Sequence, residues 1–266
     1  MVFRRKQWQV STDSELGYVS AGAGWPALGA WVGLLLLIFV KGRIRMGSKA
    51  NGLKLSQRLL LIVTAALVYA VNFWPSPQVR KAGLAALGHP QFVGFAGIFV
   101  PHLVLYSTLL AVIAALCWFT FVRARILPPP ELGRPTASQL RLGVVGGIAA
   151  LIASLGFVYF LFPAALDWID PVPWKIAGNV VSNFYEEFVY RGFLLVALGA
   201  AIGFWPAAII ASAMWAYTHS QYPLSLQALI MTVGIYFSWL TRRARSLWTP
   251  YTSHMILDLV GDSLIG

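Results

Sequence analysis

The stretch Tyr185-Glu186-Glu187-Phe188-Val189-Tyr190-Arg191 sits inside a strongly apolar segment, residues 174–200. Ionisable side chains at bilayer depth cost about 2.5–3.5 kcal/mol each even on lenient insertion scales. Two adjacent carboxylates and a guanidinium in one such helix therefore point to function. The competing reading is a structural ion pair that ties helices together.

Outward from this stretch the chain stays apolar. Hydrophobic residues make up 58% of the 266 and charged ones 11%, against about 25% charged in a soluble domain. The expected fold is all-α, a polytopic membrane helical bundle of about eight transmembrane helices. The net charge of +11 raises nucleic acid as a partner. The basic residues lie between apolar runs, however, as topology-setting loops do, so no nucleic acid partner is expected and the lipid bilayer is. Cys117 is the one cysteine, so no intrachain disulfide can form. The first apolar run starts too late for an ordinary cleaved signal peptide and reads as a span.

Eight runs approach the length needed to cross about 30 Å of hydrocarbon: residues 25–40, 59–74, 95–122, 140–162, 174–200, 205–219, 224–240 and 248–265. Each must be helical, because lipid offers no partners to open backbone groups. The third is long enough to tilt, or to bend at Pro101-His102. Arginine and lysine cluster after the first, third and seventh runs, which puts those loops in the cytoplasm and both termini outside; Arg4, Arg5 and Lys6 pull the other way. Pro128-Pro129-Pro130 and Pro135 mark a linker. The organisation expected is an N-terminal segment (1–24), a three-span part (25–127), a proline-rich linker (128–139) and a five-span catalytic part (140–266). The setting that fits is a prokaryotic plasma membrane.

Three polar sets follow residue 180. Glu187 and Arg191 are i,i+4 neighbours that can pair on a helix, while Glu186 points about 100° away. Trp215 and His219 are spaced i,i+4, and so are His254 and Asp258, with Asp262 one step further along that face. Three helices thus offer acids and imidazoles to one interior. Such groups suit acid–base hydrolysis: a carboxylate takes a proton from water, and a histidine holds the water or protonates the leaving amine. A second histidine, oriented by Asp258, donates to an oxyanion. No GxSxG elbow is present, and Ser182, Ser212 and Ser220 read as packing or cap residues. Zinc is the chemical rival, since two histidines and a glutamate form a common ligand set, although no HExxH or CxxC accompanies them. The reading adopted assigns no metal and no cofactor.

Glu-Glu-x-x-x-Arg at 186–191, aromatic-x-x-x-His at 215–219 and His-x-x-x-Asp at 254–258, in this order and with Gly192-Phe193-Leu194 after the arginine, resemble the CPBP family. These are the CAAX proteases and bacteriocin-processing enzymes, also called the type II CAAX prenyl endopeptidase or ABI family. The resemblance covers about residues 175–266. It implies a metal-independent glutamic intramembrane endopeptidase. Glu186 would activate water with His219 beside it, Glu187 and Arg191 would brace the site, and His254 with Asp258 would shape the oxyanion pocket. Trp215 stands where phenylalanine is usual, and Asp258 where prenyl-protein proteases often have asparagine. An ionised aspartate cannot donate a hydrogen bond, so Asp258 is either protonated or acts by orienting His254.

The substrate implied is a membrane-associated peptide or protein: a prenylated CAAX end, a leader or a C-terminal tail. Two other functions fit the same residues, a non-catalytic scaffold or bacteriocin-immunity protein and an ion-coupled transporter. Against the last, no inverted repeat relates the two halves. His102 could line the cavity, His89 reads as a loop residue, and Asn179 and Asn183 read as support for Glu187. As linear spans, helices 205–219 and 248–265 would place His219 and His254 at opposite depths. They can meet only if one helix is short, tilted or re-entrant, for which Pro206 and Pro250 allow.

Overall fold

The computed structural model describes residues 53–73, 109, 112–123, 126–127, 132–161, 173–220 and 222–264. Residues 25–40 and 174–175 as side chains, His89, His102, Asp167 and Asp170 lie outside what is described, as does most of the third run. Within the described residues every regular element is helical.

Among the described residues the apolar runs fold as helices. Helix α1 is Leu55–Phe73, α2 is Ala137–Leu161, α3 is Pro173–Glu187, α4 is Leu195–Ile202, α5 is Phe204–Thr218, α6 is Leu224–Ala244 and α7 is Trp248–Leu264. Leu55–Asn72, Ala137–Leu161 and Leu224–Ala244 are long and apolar enough to cross a membrane. Their outer faces are apolar as well: Leu59, Val63 and Leu67 on α1, and Val145, Ile152 and Phe160 on α2, are exposed. A surface of this kind belongs against acyl chains rather than water.

Local chemistry sets the helix ends. Thr136 and Gln139 form a reciprocal cap at the start of α2, the Thr136 amide donating to Gln139 Oε1 at 2.9 Å and the Gln139 amide to Thr136 Oγ1 at 3.3 Å. This is the capping-box pattern. Arg242 and Arg243 occupy the last turn of α6, where cations complement the helix dipole. Arg245 then takes a left-handed conformation, φ 50°, that ends the helix. Gly203, φ 92°, supplies the corner between α4 and α5, a conformation that disfavours any side chain.

Between α3 and α4 the chain stays helical but widens. Phe188–Leu194 is a π-helical segment, and the Leu195 amide bonds to Tyr190 O, five residues back. A second π-helical stretch is Trp118–Arg123. Single π turns inside α-helices concentrate at functional sites, and this one begins at the residue after Glu187.

Helix α2 lies along α7 on a glycine seam. A Cβ built on Gly143 would sit 2.8 Å from Thr249 O, and one on Gly147 2.9 Å from Ser253 O and 3.0 Å from Ser253 Cα. Ser253 Oγ donates to Gly143 O at 2.8 Å, and Thr249 Oγ1 to Gln139 O at 3.1 Å. Small residues let backbones approach this closely where no hydrophobic force drives helices together in lipid. Gly147→Ala is expected to cost about 1–3 kcal/mol, because backbone atoms must move to admit the methyl. Unfolding of the purified protein in detergent checks this; an unchanged midpoint would mean the seam is slack.

Candidate active site

Glu187 and Arg191 sit at the centre of the bundle, each 1% exposed. Arg191 Nη1 donates to Glu187 Oε1 at 3.1 Å, and Nη2 reaches Gly234 O of α6 at 3.4 Å. The guanidinium also lies over the Trp215 ring, 4.3 Å from its centroid, and 5.6 Å from that of Phe237. A buried arginine held by a carboxylate, a carbonyl and two aromatic faces is fixed in position. This is the pairing that the i,i+4 spacing predicts.

The same Glu187 oxygen lies 2.9 Å from His254 Nδ1 of α7. The other ring nitrogen, Nε2, is 3.4 Å from Asp258 Oδ2. His254 is thus flanked by two carboxylates. The Nδ1 contact is an ordinary hydrogen-bond length and the Nε2 contact is too long to be one. Asp258 keeps 28% of its side chain exposed, so this arm of the cluster leads from the buried interior towards the surface. Glu187 Oε2, by contrast, is buried with no hydrogen-bond partner among the described residues.

Glu186 has a different environment from its neighbour. It is only half-buried, and its Oε2 accepts a 2.6 Å hydrogen bond from the Trp215 indole Nε1. Trp215 is the common wall of the site. Its ring meets His219 edge-on at 5.5 Å and His254 edge-on at 5.3 Å. The two imidazoles that linear spans put at opposite depths therefore meet against one indole. Helix α5 has only 15 residues, about 22 Å at ~1.5 Å per residue, and His219 caps its end.

His219 Nδ1 lies 3.0 Å from Trp215 O, and its ring stacks on Tyr222 at 6.3 Å with planes 12° apart. Backbone and stacking contacts orient this ring. No direct bond joins Glu186 and His219 among the described residues; they share Trp215. Asn183 approaches Met255 Sδ at 3.5 Å rather than Glu187. The backbone of Asp262 continues α7, and its side chain is not described. Ser182 Oγ donates to Gly178 O at 3.1 Å within its own helix, and Ser212 packs closely against Gly234, as expected of helix-packing serines. No group of three His, Cys, Asp or Glu side chains suited to a metal ion occurs among the described residues.

Sequence reasoning missed the Asn72, Tyr185 and Tyr190 hydroxyl–amide cluster behind the site. Tyr185 Oη donates to Asn72 Oδ1 at 2.6 Å, and Asn72 Nδ2 donates to Tyr190 Oη at 2.6 Å. Its one available signal was a polar Asn72 within an apolar run.

A helical bundle with transmembrane-length segments and an acid–imidazole cluster in its interior defines an integral membrane protein with a polar central site. Residues 168–260 match the family model of type II CAAX prenyl endopeptidase Rce1-like proteins. The match encloses Glu186, Glu187, Arg191, His219, His254 and Asp258. A curated protein named "Putative membrane peptidase YdiL", from Bacillus subtilis (strain 168), is 26% identical over 117 residues, 44% of this chain and 47% of the relative. The chain thus aligns with about half the length of that relative. No solved structure matches the chain.

Proposed function

We propose that the protein is an intramembrane endopeptidase of the glutamic type, in which Glu186 activates a water molecule. The observation that carries the reading is the division of labour between two adjacent carboxylates. Glu187 is buried and bound by Arg191 and His254 through one oxygen. Glu186 is half-buried, holds one indole hydrogen bond through Oε2 and carries none on Oε1 among the described residues. The structural-ion-pair reading suits Glu187; Glu186 is the carboxylate left to meet water.

In this scheme Glu186 Oε1 accepts a proton as the water oxygen bonds to the scissile carbonyl carbon. His254, as the imidazolium, donates through Nδ1 to Glu187 and carries a second N–H on Nε2, loosely faced by Asp258, to donate to the oxyanion. Preorganised donors of this kind act where charge develops. His219 steadies the water or the leaving nitrogen. The C–N bond then breaks, and the proton passes from Glu186 to the amine. Asp258 acts by orienting His254. No step requires a cofactor or metal.

The substrate class is a membrane-associated peptide or protein, with a prenylated CAAX end as the first candidate because of the family match. The setting is a bacterial-type plasma membrane, in keeping with a Bacillus relative. Two measurements test the reading. Wild type and Glu186→Gln, at equal membrane levels in a bacterial host, are compared by mass-spectrometric mapping of protein termini. Both are also reconstituted in vesicles with an internally quenched farnesylated CAAX peptide. New ends and peptide cleavage should depend on wild type and vanish in the variant. Cleavage by neither route, or equal cleavage by the variant, overturns the reading.

Trp215→Phe separates wall from machinery. It keeps an aromatic face for Arg191 but removes the N–H that Glu186 accepts, and is expected to cost about 1–2 kcal/mol in stability. The hydrolytic rate should fall by less than about tenfold, since general-base catalysis runs through the other oxygen. A fall of a hundredfold would place the indole N–H in the reacting machinery.

A further inference from the structure

The helix α1 lies outside the family match, yet it reaches the site. Asn72, in its last turn, is buried, and so are Tyr185 and Tyr190, which flank Glu186 and Glu187 in the chain. One amide serves both phenols: its oxygen accepts from Tyr185 and its nitrogen donates to Tyr190, each at 2.6 Å.

This bridge has a geometric condition. Residues five apart on an α-helix of 3.6 residues per turn point about 140° away from each other. Tyr185 and Tyr190 could not share one small side chain on a regular helix. A π turn bonds i to i+5 and brings such residues towards one face. The widening begins at Phe188, between the two tyrosines, and is marked by the bond from the Leu195 amide to Tyr190 O. The amide bridge and the widened turn therefore require each other. Glu186, about 100° round the helix from Tyr185, lies on the short arc between the two phenols, so the turn's opening sets the angle at which Glu186 leaves the helix.

We infer that Asn72 is a positioning residue of the Glu186 site, clamping Tyr185 and Tyr190 together so that the π turn after Glu187 stays open. The inference rests on the hydrolytic reading above for its effect on rate, but not for its effect on the turn. A packing role alone would be met by leucine, which nearly matches asparagine in size and has no amide.

The test uses the full chain, reconstituted, with Asn72→Leu, Tyr185→Phe and Tyr190→Phe. Hydrogen–deuterium exchange over residues 188–195 reads the turn without any substrate. Asn72→Leu should speed exchange there about tenfold and leave the α2–α7 seam unchanged. On the farnesylated CAAX peptide, Asn72→Leu should lower kcat about tenfold with KM within twofold. Combining Asn72→Leu with Tyr190→Phe should add little, because both remove the same bond and coupled sites are non-additive. Unchanged exchange over 188–195 overturns the inference whatever the activity. So does faster exchange everywhere, or a wild-type kcat in Asn72→Leu. If exchange responds but wild type cleaves nothing, the hydrolytic reading falls and the clamp stands.

Discussion

Glu186→Gln is expected to lower the rate of peptide hydrolysis by about 10³-fold or more while leaving the melting point within a few degrees of wild type. Positioned general acid–base groups contribute about 10²–10⁴-fold, and in the proposed scheme the same carboxylate both takes the proton from water and returns it to the amine. Glutamine cannot do either. It does keep a carbonyl acceptor for the Trp215 indole, so the 2.6 Å bond that ties α3 to α5 can survive. The side chain is half-buried rather than enclosed, and replacing the charge leaves no buried cation without its partner. Initial rates on the farnesylated peptide and a thermal melt in the same detergent give the two numbers. A large loss of stability with a modest loss of rate would reverse the roles given to the two glutamates.

Arg191→Met is expected to show the opposite pattern, a loss of about 3–5 kcal/mol in stability, which is the usual consequence of removing one partner of a buried ion pair. Methionine fills much of the same volume, so the loss reports charge more than cavity. Glu187 would remain 1% exposed beside His254, with the guanidinium gone from Oε1 and Oε2 already without a partner among the described residues. For a chain of this size the shift in melting temperature is on the order of 10 °C. Adding Glu187→Gln to Arg191→Met should restore much of it, because the uncompensated charge is then removed as well. Scanning calorimetry or a fluorescence melt reads both variants. If the double variant is no more stable than the single, the cost lies in lost cation–π and carbonyl contacts rather than in the orphaned carboxylate.

The helices were legible because lipid leaves the backbone one solution along an apolar run. The run read as 140–162 folds as Ala137–Leu161 and the run read as 224–240 as Leu224–Ala244. The extra turn of α6 holds Thr241, Arg242 and Arg243, polar residues that a hydropathy reading stops short of. The pairing of Glu187 with Arg191 and the nearness of His254 to Asp258 followed from i,i+4 spacing. Three of the eight expected spans are seen at membrane-crossing length among the described residues.

What stayed hidden depended on distance in the chain or on the turn type. Nothing in Phe188-Val189-Tyr190 by residue type announces a π turn. The Asn72 bridge spans 113 and 118 residues, and spacing arguments do not reach so far. The carboxylate on the far side of His254 was unforeseen for the same reason: Glu187 and His254 are 67 residues apart. Gly143 and Gly147 were readable in principle as a close-approach stripe, but their partners, Thr249 and Ser253, become visible only once α2 and α7 are laid together.

The 15-residue length of α5 has a consequence for how water would reach the proposed site. At about 22 Å, it is some 8 Å shorter than a typical ~30 Å hydrocarbon slab, and a mismatch of that size is relieved by thinning the surrounding leaflet or by wetting the helix end. His219 stands at that end, with the half-buried Glu186 and the partly open Asp258 nearby. The dimple left by a stunted helix would be the entrance for the solvent molecule that the proposed hydrolysis consumes.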